Sequence, residues 1–272
     1  MARKQPPQQP PPVQKLLVQY GKQGRGRFAS HRDYARTFER ALIRARVPMA
    51  YSSGFHPHPR ISYINPAATG TESFAEYLVI ALAELCDPGE LMSRLSAAMP
   101  EGFPIVEVRE VDPTQVWEAS LWEITLCDPP ATGRLSHPPP VSLSDCPPPV
   151  SLSDCPPTVS LPDSPPPVSL REVAGPIEWF LSQSEILVSR EVKSGIRTFD
   201  ARSAVEALVA VDAGTASTVP TDPVPRIRLV LRHTEPLVRP SDVVGVLFPD
   251  LTTPARYCRL AQGTVADLLA VE

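Results

Sequence analysis

The pattern of apolar runs in this 272-residue chain predicts an α+β fold. The expected architecture is a ferredoxin-like βαββαβ sandwich followed by a second, smaller ferredoxin-like α+β unit interrupted by a proline-rich repeat. Three observations carry that expectation. Strand-like and helix-like segments alternate in the order β-α-β-β-α-β over residues 15–111. A proline-rich nonapeptide repeat then breaks the pattern, and weaker strand and helix signals resume beyond it.

Residues 15–20 read as a strand, followed by the turn Gly21-Lys22-Gln23-Gly24-Arg25-Gly26, with Arg27-Phe28-Ala29 closing the strand. Ser30 reads as a helix N-cap, because Asp33 three residues on completes a capping box. The helix is expected from His31 to about Arg46. On it Tyr34, Phe38, Ala41, Leu42 and Ala45 form one apolar stripe, and Arg32, Arg36, Arg40 and Arg44 a second row at a spacing of four. Pro48 ends the helix, and residues 49–51 begin a second strand. Gly54 to Pro59 must be a loop, since Pro57 and Pro59 cannot donate to a ladder. Strands follow at 61–64 and 75–82, a helix at 88–99 with Leu91, Leu95 and Met99 on one side, and a last strand at 104–111.

Residues 137–170 repeat variants of P-P-P-V-S-L-S-D-C, which offer extended backbone and too few apolar side chains for a core. Beyond and before this insertion, strands are expected at 121–126, 186–191 and 226–232, and a turn at Ser194-Gly195. A short helix at 175–182 has Pro176 in its first turn, and another at 241–248 is capped by Ser241. The domain plan is a basic, proline-rich, disordered tail at 1–14 and a ferredoxin-like basic domain at 15–115. A second α+β domain at 116–128 and 171–250 surrounds the disordered insertion at 129–170, and a C-terminal segment covers 251–272.

The net charge of −4 conceals a strong asymmetry. Residues 1–60 hold 12 Lys and Arg against Asp33 and Glu39, a net +10. This suggests a polyanion or an acidic protein as partner for the first domain, against the plainer reading of a solvated helix face and tail. The five cysteines, Cys86, Cys127, Cys146, Cys155 and Cys258, include no C-x-x-C pair, so neither a structural zinc nor a disulfide framework is indicated. With no apolar run of membrane-span length and no signal-peptide pattern at the start, a cytoplasmic location is expected.

His31 falls at the amino end of a helix, where backbone N–H groups favour an anion, and Lys22, Arg25 and Arg27 precede it. The glycine-rich turn is not a nucleotide-binding P-loop, lacking its Gly-Lys-Ser/Thr ending, so nucleic-acid phosphate is the better fit. His56 and His58, with His31, could form a three-histidine metal set, but the alternating prolines and the lack of a nearby carboxylate favour a hydrogen-bonded loop, and no metal is expected. Tyr20, Phe28, Tyr51, Phe55, Tyr63 and Tyr77 interleave with the basic residues, as where bases stack beside a basic groove. Most are expected in the core, and Phe55, on the proline loop, is the foremost candidate for exposure.

Several of these runs resemble one family. They are Arg27-Phe28-Ala29-Ser30-His31-x-Asp33, Tyr51-Ser52-Ser53-Gly54-Phe55-His56-Pro57-His58-Pro59-Arg60-Ile61-Ser62, and Gly70-Thr71-Glu72-Ser73-x-x-Glu76-Tyr77. Asp200-Ala201-Arg202 and Arg239-Pro240-Ser241-Asp242-Val243 match later landmarks. The resemblance is to the uncharacterised radical SAM-linked protein family, in whose pattern asparagine is more usual at the position of His56. It implies a radical SAM protein as partner, fused or encoded alongside, with a cobalamin-binding-like domain. This chain has neither a C-x-x-x-C-x-x-C nor a D-x-H-x-x-G motif, so no iron–sulfur or cobalamin cofactor is expected in it.

Three functions follow. The first is an accessory RNA-binding protein working with the radical SAM enzyme in RNA modification or processing, with Lys22, Arg25, Arg27, Arg32, Arg36, Arg40, Phe55 and Arg60 on the RNA. The second is a metal-independent RNA-cleaving enzyme using His31 or His58 as acid or base. The third is a non-catalytic interaction module docking on the radical SAM partner through the arginine helix.

Overall fold

The computed structural model describes residues 8–126, 170–192, 195–211, 226–249 and 255–271. The nonapeptide repeat and Ser194 lie outside the described residues. The first half runs β1 (Gln14–Lys22), a 3-10 turn (Gly24–Phe28), α1 (His31–Arg44), β2 (Ile61–Ile64), β3 (Glu72–Leu82), α2 (Pro88–Ala98) and β4 (Ile105–Glu110). The second runs β5 (Ala119–Leu126), α3 (Leu170–Ser182), the hairpin β6 (Leu187–Val192) and β7 (Gly195–Asp200), β8 (Val205–Val211), β9 (Arg226–Arg232), α4 (Pro240–Leu247), β10 (Ala255–Gly263) and α5 (Val265–Leu269).

This is a mixed α+β fold with one large mixed sheet. Its strand order is β4-β1-β3-β10-β5-β9-β8, with β2 also on β3. Within the first half all pairings are antiparallel, and the order fourth-first-third-second is consistent with a ferredoxin-like arrangement. The second half repeats that order as β10-β5-β9-β8, again antiparallel, with β6 and β7 inserted before β8. The two halves meet where β10 runs parallel to β3 through two residue pairs, Cys258 with Glu72 and Arg259 with Ser73. β2 is four residues long and pairs with Tyr77 to Ile80, so it leaves the start of the β3 edge open for β10. A strand edge that would otherwise expose unpaired N–H and C=O groups is thereby covered.

Periodicity dictates both cores. Tyr34, Phe38 and Leu42 of α1 and Leu91 and Leu95 of α2 close over Leu16, Val18, Leu78, Ile80 and Leu82. In the second half β5 alternates: Trp122, Ile124 and Leu126 join Val173, Ile177 and Phe180 of α3, while Ala119 and Leu121 face the other way under Leu268 of α5.

Several boundaries differ from expectation for physical reasons. Arg27 and Phe28 belong to the 3-10 turn and lead straight into α1 instead of closing a strand. Residues 49–51 make only isolated bridges, Met49 to Leu82 and Tyr51 to Pro59: Pro48 precedes the segment, and Pro57 and Pro59 interrupt the stretch it faces. Pro176 lies inside α3, whose buried Val173, Ile177 and Phe180 continue one stripe across it. α4 starts at Pro240 with Arg239 as N-cap, so Ser241 falls in the first turn: a proline at the first helical position has no N–H to satisfy. Residues 8–13 also make contacts, with the Gln9 N–H donating to Ser53 Oγ (2.9 Å) and the Val13 N–H to Leu82 O (2.8 Å). The strands at 205–211 and 255–263 were not foreseen.

Candidate functional site

The amino end of α1 is fixed by its cap. The Asp33 N–H donates to Ser30 Oγ (3.2 Å), and the Ser30 hydroxyl donates to Asp33 Oδ2 (2.6 Å). That hydroxyl holds the Asp33 carboxyl below its ordinary value. The two side chains thus bond each other, where a capping box would send Asp33 back to the Ser30 N–H. His31 is exposed on this first turn, its ring edge-on to Tyr63 at 4.6 Å between centroids.

Arg25, Arg32, Arg36 and Arg40 are exposed, and among the described residues none forms an ion pair. The Arg27 guanidinium lies 4.6 Å from the ring centroid of Phe28, itself 60% exposed. Arg60 is half-buried and lines a shallow groove with His58, Lys15 and Ser52. The loop carrying Gly54, Phe55, Pro57, His58 and Pro59 is closed at its base: the Ser52 N–H donates to His58 O (2.8 Å) and the His58 N–H to Ser52 Oγ (3.0 Å). Phe55 is exposed on it, as expected, and Gly54 takes a φ of +128°, where a side chain would be strained.

Lys22 departs from the sequence reading. It ends β1 instead of standing on a turn, is 5% exposed, and its Nζ donates to Ala68 O (3.2 Å). The glycines of the turn serve packing. A Cβ at Gly26 would come within 2.5 Å of Gly102 O, so the 3-10 turn and the 100–103 loop approach as only glycines permit.

The family-like residues Glu72, Ser73 and Glu76 lie at the junction of the halves. Buried Glu76 pairs with buried Arg259, and its other oxygen accepts from the Ala67 N–H (3.0 Å). Arg259 Nη1 donates to Asn65 O (2.7 Å) and its Nε to Ser73 Oγ (3.4 Å). With Lys22 on Ala68, side chains from β1, β3 and β10 hold three backbone groups of the loop between β2 and β3. Burial lowers the pKa of Lys22, and the Glu76 carboxylate opposes that shift. Glu72 accepts from the Gly24 N–H (3.3 Å) and lies 3.8 Å from Arg256.

This pinned loop forms one wall of a cleft of about 420 Å³, whose other walls include Ser120, Trp122, His233, Arg239 and Tyr257. An adjoining space of about 530 Å³ is lined by Arg190, Arg197, Phe199 and Glu235 and shares Asn65, His233 and Arg239. The His233 ring is held from both sides: Nδ1–H donates to Trp117 O (2.8 Å) and Nε2 accepts from the Ser120 hydroxyl (2.7 Å). Burial lowers its pKa, disfavouring the charged ring. Nothing in its local sequence marks His233, whose partner Ser120 is 113 residues away. Asp242 accepts from the Arg239 N–H (2.8 Å) and pairs with Arg190 (3.3 Å), so the Arg239-to-Val243 landmark shapes the rim. Asp200 accepts from the N–H groups of Ile186 and Arg202 (both 2.9 Å) and fixes the base of the β6–β7 hairpin.

Fold and site together define an α+β protein with an unpaired arginine helix and a cationic cleft where its two halves join. The chain belongs to the family described as "Uncharacterized protein conserved in bacteria (DUF2344)", whose model matches residues 15–240, and which occurs with radical SAM proteins. No curated protein matches it. Among solved structures it is similar to one titled "Crystal Structure of an Unknown Protein from Galdieria sulphuraria", at 11% identity over 90% of this chain and 98% of that one, with a TM-score of 0.22. Among the described residues no group of three His, Cys, Asp or Glu side chains is placed to hold a metal, and no helix is long and apolar enough to cross a membrane.

Proposed function

We propose that this chain is a non-catalytic docking protein for a radical SAM partner, and that the arginine face of α1 engages an acidic surface on it. One observation carries the reading: Arg32, Arg36 and Arg40 are exposed on a firmly packed helix and form no salt bridge among the described residues, Asp33 acting on Arg36 only at longer range. An unneutralised row of charge on a rigid element steers and orients an oppositely charged partner. Tandem ferredoxin-like units, the basic one at 15–115 and the other running from β5 through β10, supply the scaffold. The test is co-purification from the native cell after nuclease treatment. A radical SAM protein should be recovered with the wild type and lost with Arg32→Glu/Arg36→Glu/Arg40→Glu.

A second reading, RNA binding, is favoured by the exposed Phe28 ring beneath the Arg27 guanidinium, a cation–aromatic pair of the kind on which bases stack. Arg25, Arg60 and Phe55 would extend that surface. It predicts that nuclease removes whatever accompanies the protein, and that the isolated chain shifts RNA at about 50 mM salt, where phosphate contacts are strongest. RNA cleavage by His31 or His58 gains no support from the geometry: His31 packs on Tyr63, and the groove lined by His58 and Arg60 does not include it.

A further inference from the structure

The cleft beside His233 has no part in the docking reading, yet its walls are chemically divided. The inner chamber, about 420 Å³, is faced by Trp122, Leu231, Val238 and Tyr257. The outer one, about 530 Å³, is faced by Arg190, Arg197 and Arg239. Asn65, His233, Leu237 and Arg239 line both, which makes them one continuous space. Each chamber falls within the roughly 300–1,000 Å³ of small-molecule pockets.

The charges in this space do not balance. Arg259 is committed to Glu76, and Arg190 to Asp242 (3.3 Å) and Leu237 O (2.8 Å). Arg197 and Arg239 have no ion pair among the described residues, and Glu235 is the one further carboxylate lining the space. Arg190 and Arg197 come from the β6–β7 hairpin, which is inserted into the repeated order of elements. The insertion therefore adds positive charge to the outer chamber, beside the inner one faced by apolar side chains.

We propose that the cleft binds a small organic phosphate monoester. Its flat, apolar body enters the inner chamber beside Trp122 and Tyr257, and Arg197 and Arg239 hold its phosphate. A phosphate ester carries about −1.5 to −2 charges at pH 7, which two free guanidinium groups match and a single carboxylate does not. The guanidinium fork also suits bidentate recognition of phosphate oxygens.

The experiment is isothermal titration calorimetry on the full chain with phenyl phosphate, uridine 5′-monophosphate and adenosine 5′-monophosphate, alongside uridine and inorganic phosphate. At least one ester should bind with a Kd below about 1 mM and more tightly than inorganic phosphate or uridine. Arg197→Gln/Arg239→Gln, at exposed positions, should weaken it roughly tenfold or more, while Arg94→Gln on α2 leaves it unchanged. Failure of all three esters to bind overturns the proposal, as does undiminished binding by the double variant or equal binding of inorganic phosphate. The docking reading rests on α1 alone, so either can fail without the other.

Discussion

Glu76 on β3 and Arg259 on β10 form a buried ion pair where, among the described residues, the two halves of the sheet are joined by a seam of two residue pairs. Removing one partner leaves an uncompensated buried charge, which costs about 3–5 kcal/mol. Arg259→Met and Glu76→Gln should each destabilise the protein by that order in urea denaturation. The double variant should be less damaged than the sum, because neither charge is then left alone. Additive losses would show that the pair does not act as a unit.

Gly26 meets the backbone of Gly102 so closely that a methyl group would come within 2.5 Å of its carbonyl oxygen. Gly26→Ala should cost about 1–3 kcal/mol, the usual penalty of overpacking. Gly24→Ala is a useful comparison, since nothing lies within 4 Å of its Cβ and only its φ of +51° resists the change. The larger loss at Gly26, read from the shift in denaturation midpoint, would confirm that the glycine-rich turn is there for packing.

Burial raises the pKa of Tyr20, Tyr34 and Tyr63 above the ordinary 10.0. A raised folded-state pKa means that the unfolded chain gives up these protons first. The stability they contribute is complete below pH 10 and falls as pH rises above it. Alkaline titration should therefore show phenolate absorbance appearing together with loss of helical circular dichroism. Phenolate formation well before unfolding would contradict this.

The depressed pKa of His233 acts at the other end of the scale. Below its ordinary value of 6.5 the unfolded state takes up a proton that the folded state resists, so stability falls as pH drops through that value toward the folded pKa. Protonation also removes the acceptor that Nε2 offers to Ser120. His233→Asn should flatten this acid limb in a pH series of denaturation curves.

What the sequence revealed depended on whether the signal was local. The apolar stripe from Tyr34 to Ala45 and the cap at Ser30 lie within one helix, and α1 and α2 end within two residues of expectation. β9 spans its expected bounds, because the apolar Ile227, Leu229, Val230 and Leu231 lie within a short run bracketed by Arg226 and Arg232. The start of β3 was hidden because Ser73 and Glu76 are polar residues inside a core, and their partner Arg259 lies 186 and 183 residues away. β10 was hidden for the same reason, its Arg259 and Gln262 being buried where a strand pattern calls for apolar side chains. The cleft could not be read at all: its walls come from the 65–71 loop, β5, β10 and the 233–241 segment, and only the fold brings them together.

The arginine face of α1 makes the central claim directly measurable. Arg32→Glu/Arg36→Glu/Arg40→Glu should leave stability within about 0.5 kcal/mol, since the three side chains are exposed and form no salt bridge among the described residues. The decisive measurement is the affinity of the nuclease-treated chain for the radical SAM protein recovered with it, across a salt series. The docking account predicts binding that weakens with salt and is lost in the triple variant. Binding that survives the charge reversal unchanged, or that disappears once nucleic acid is removed, would contradict it.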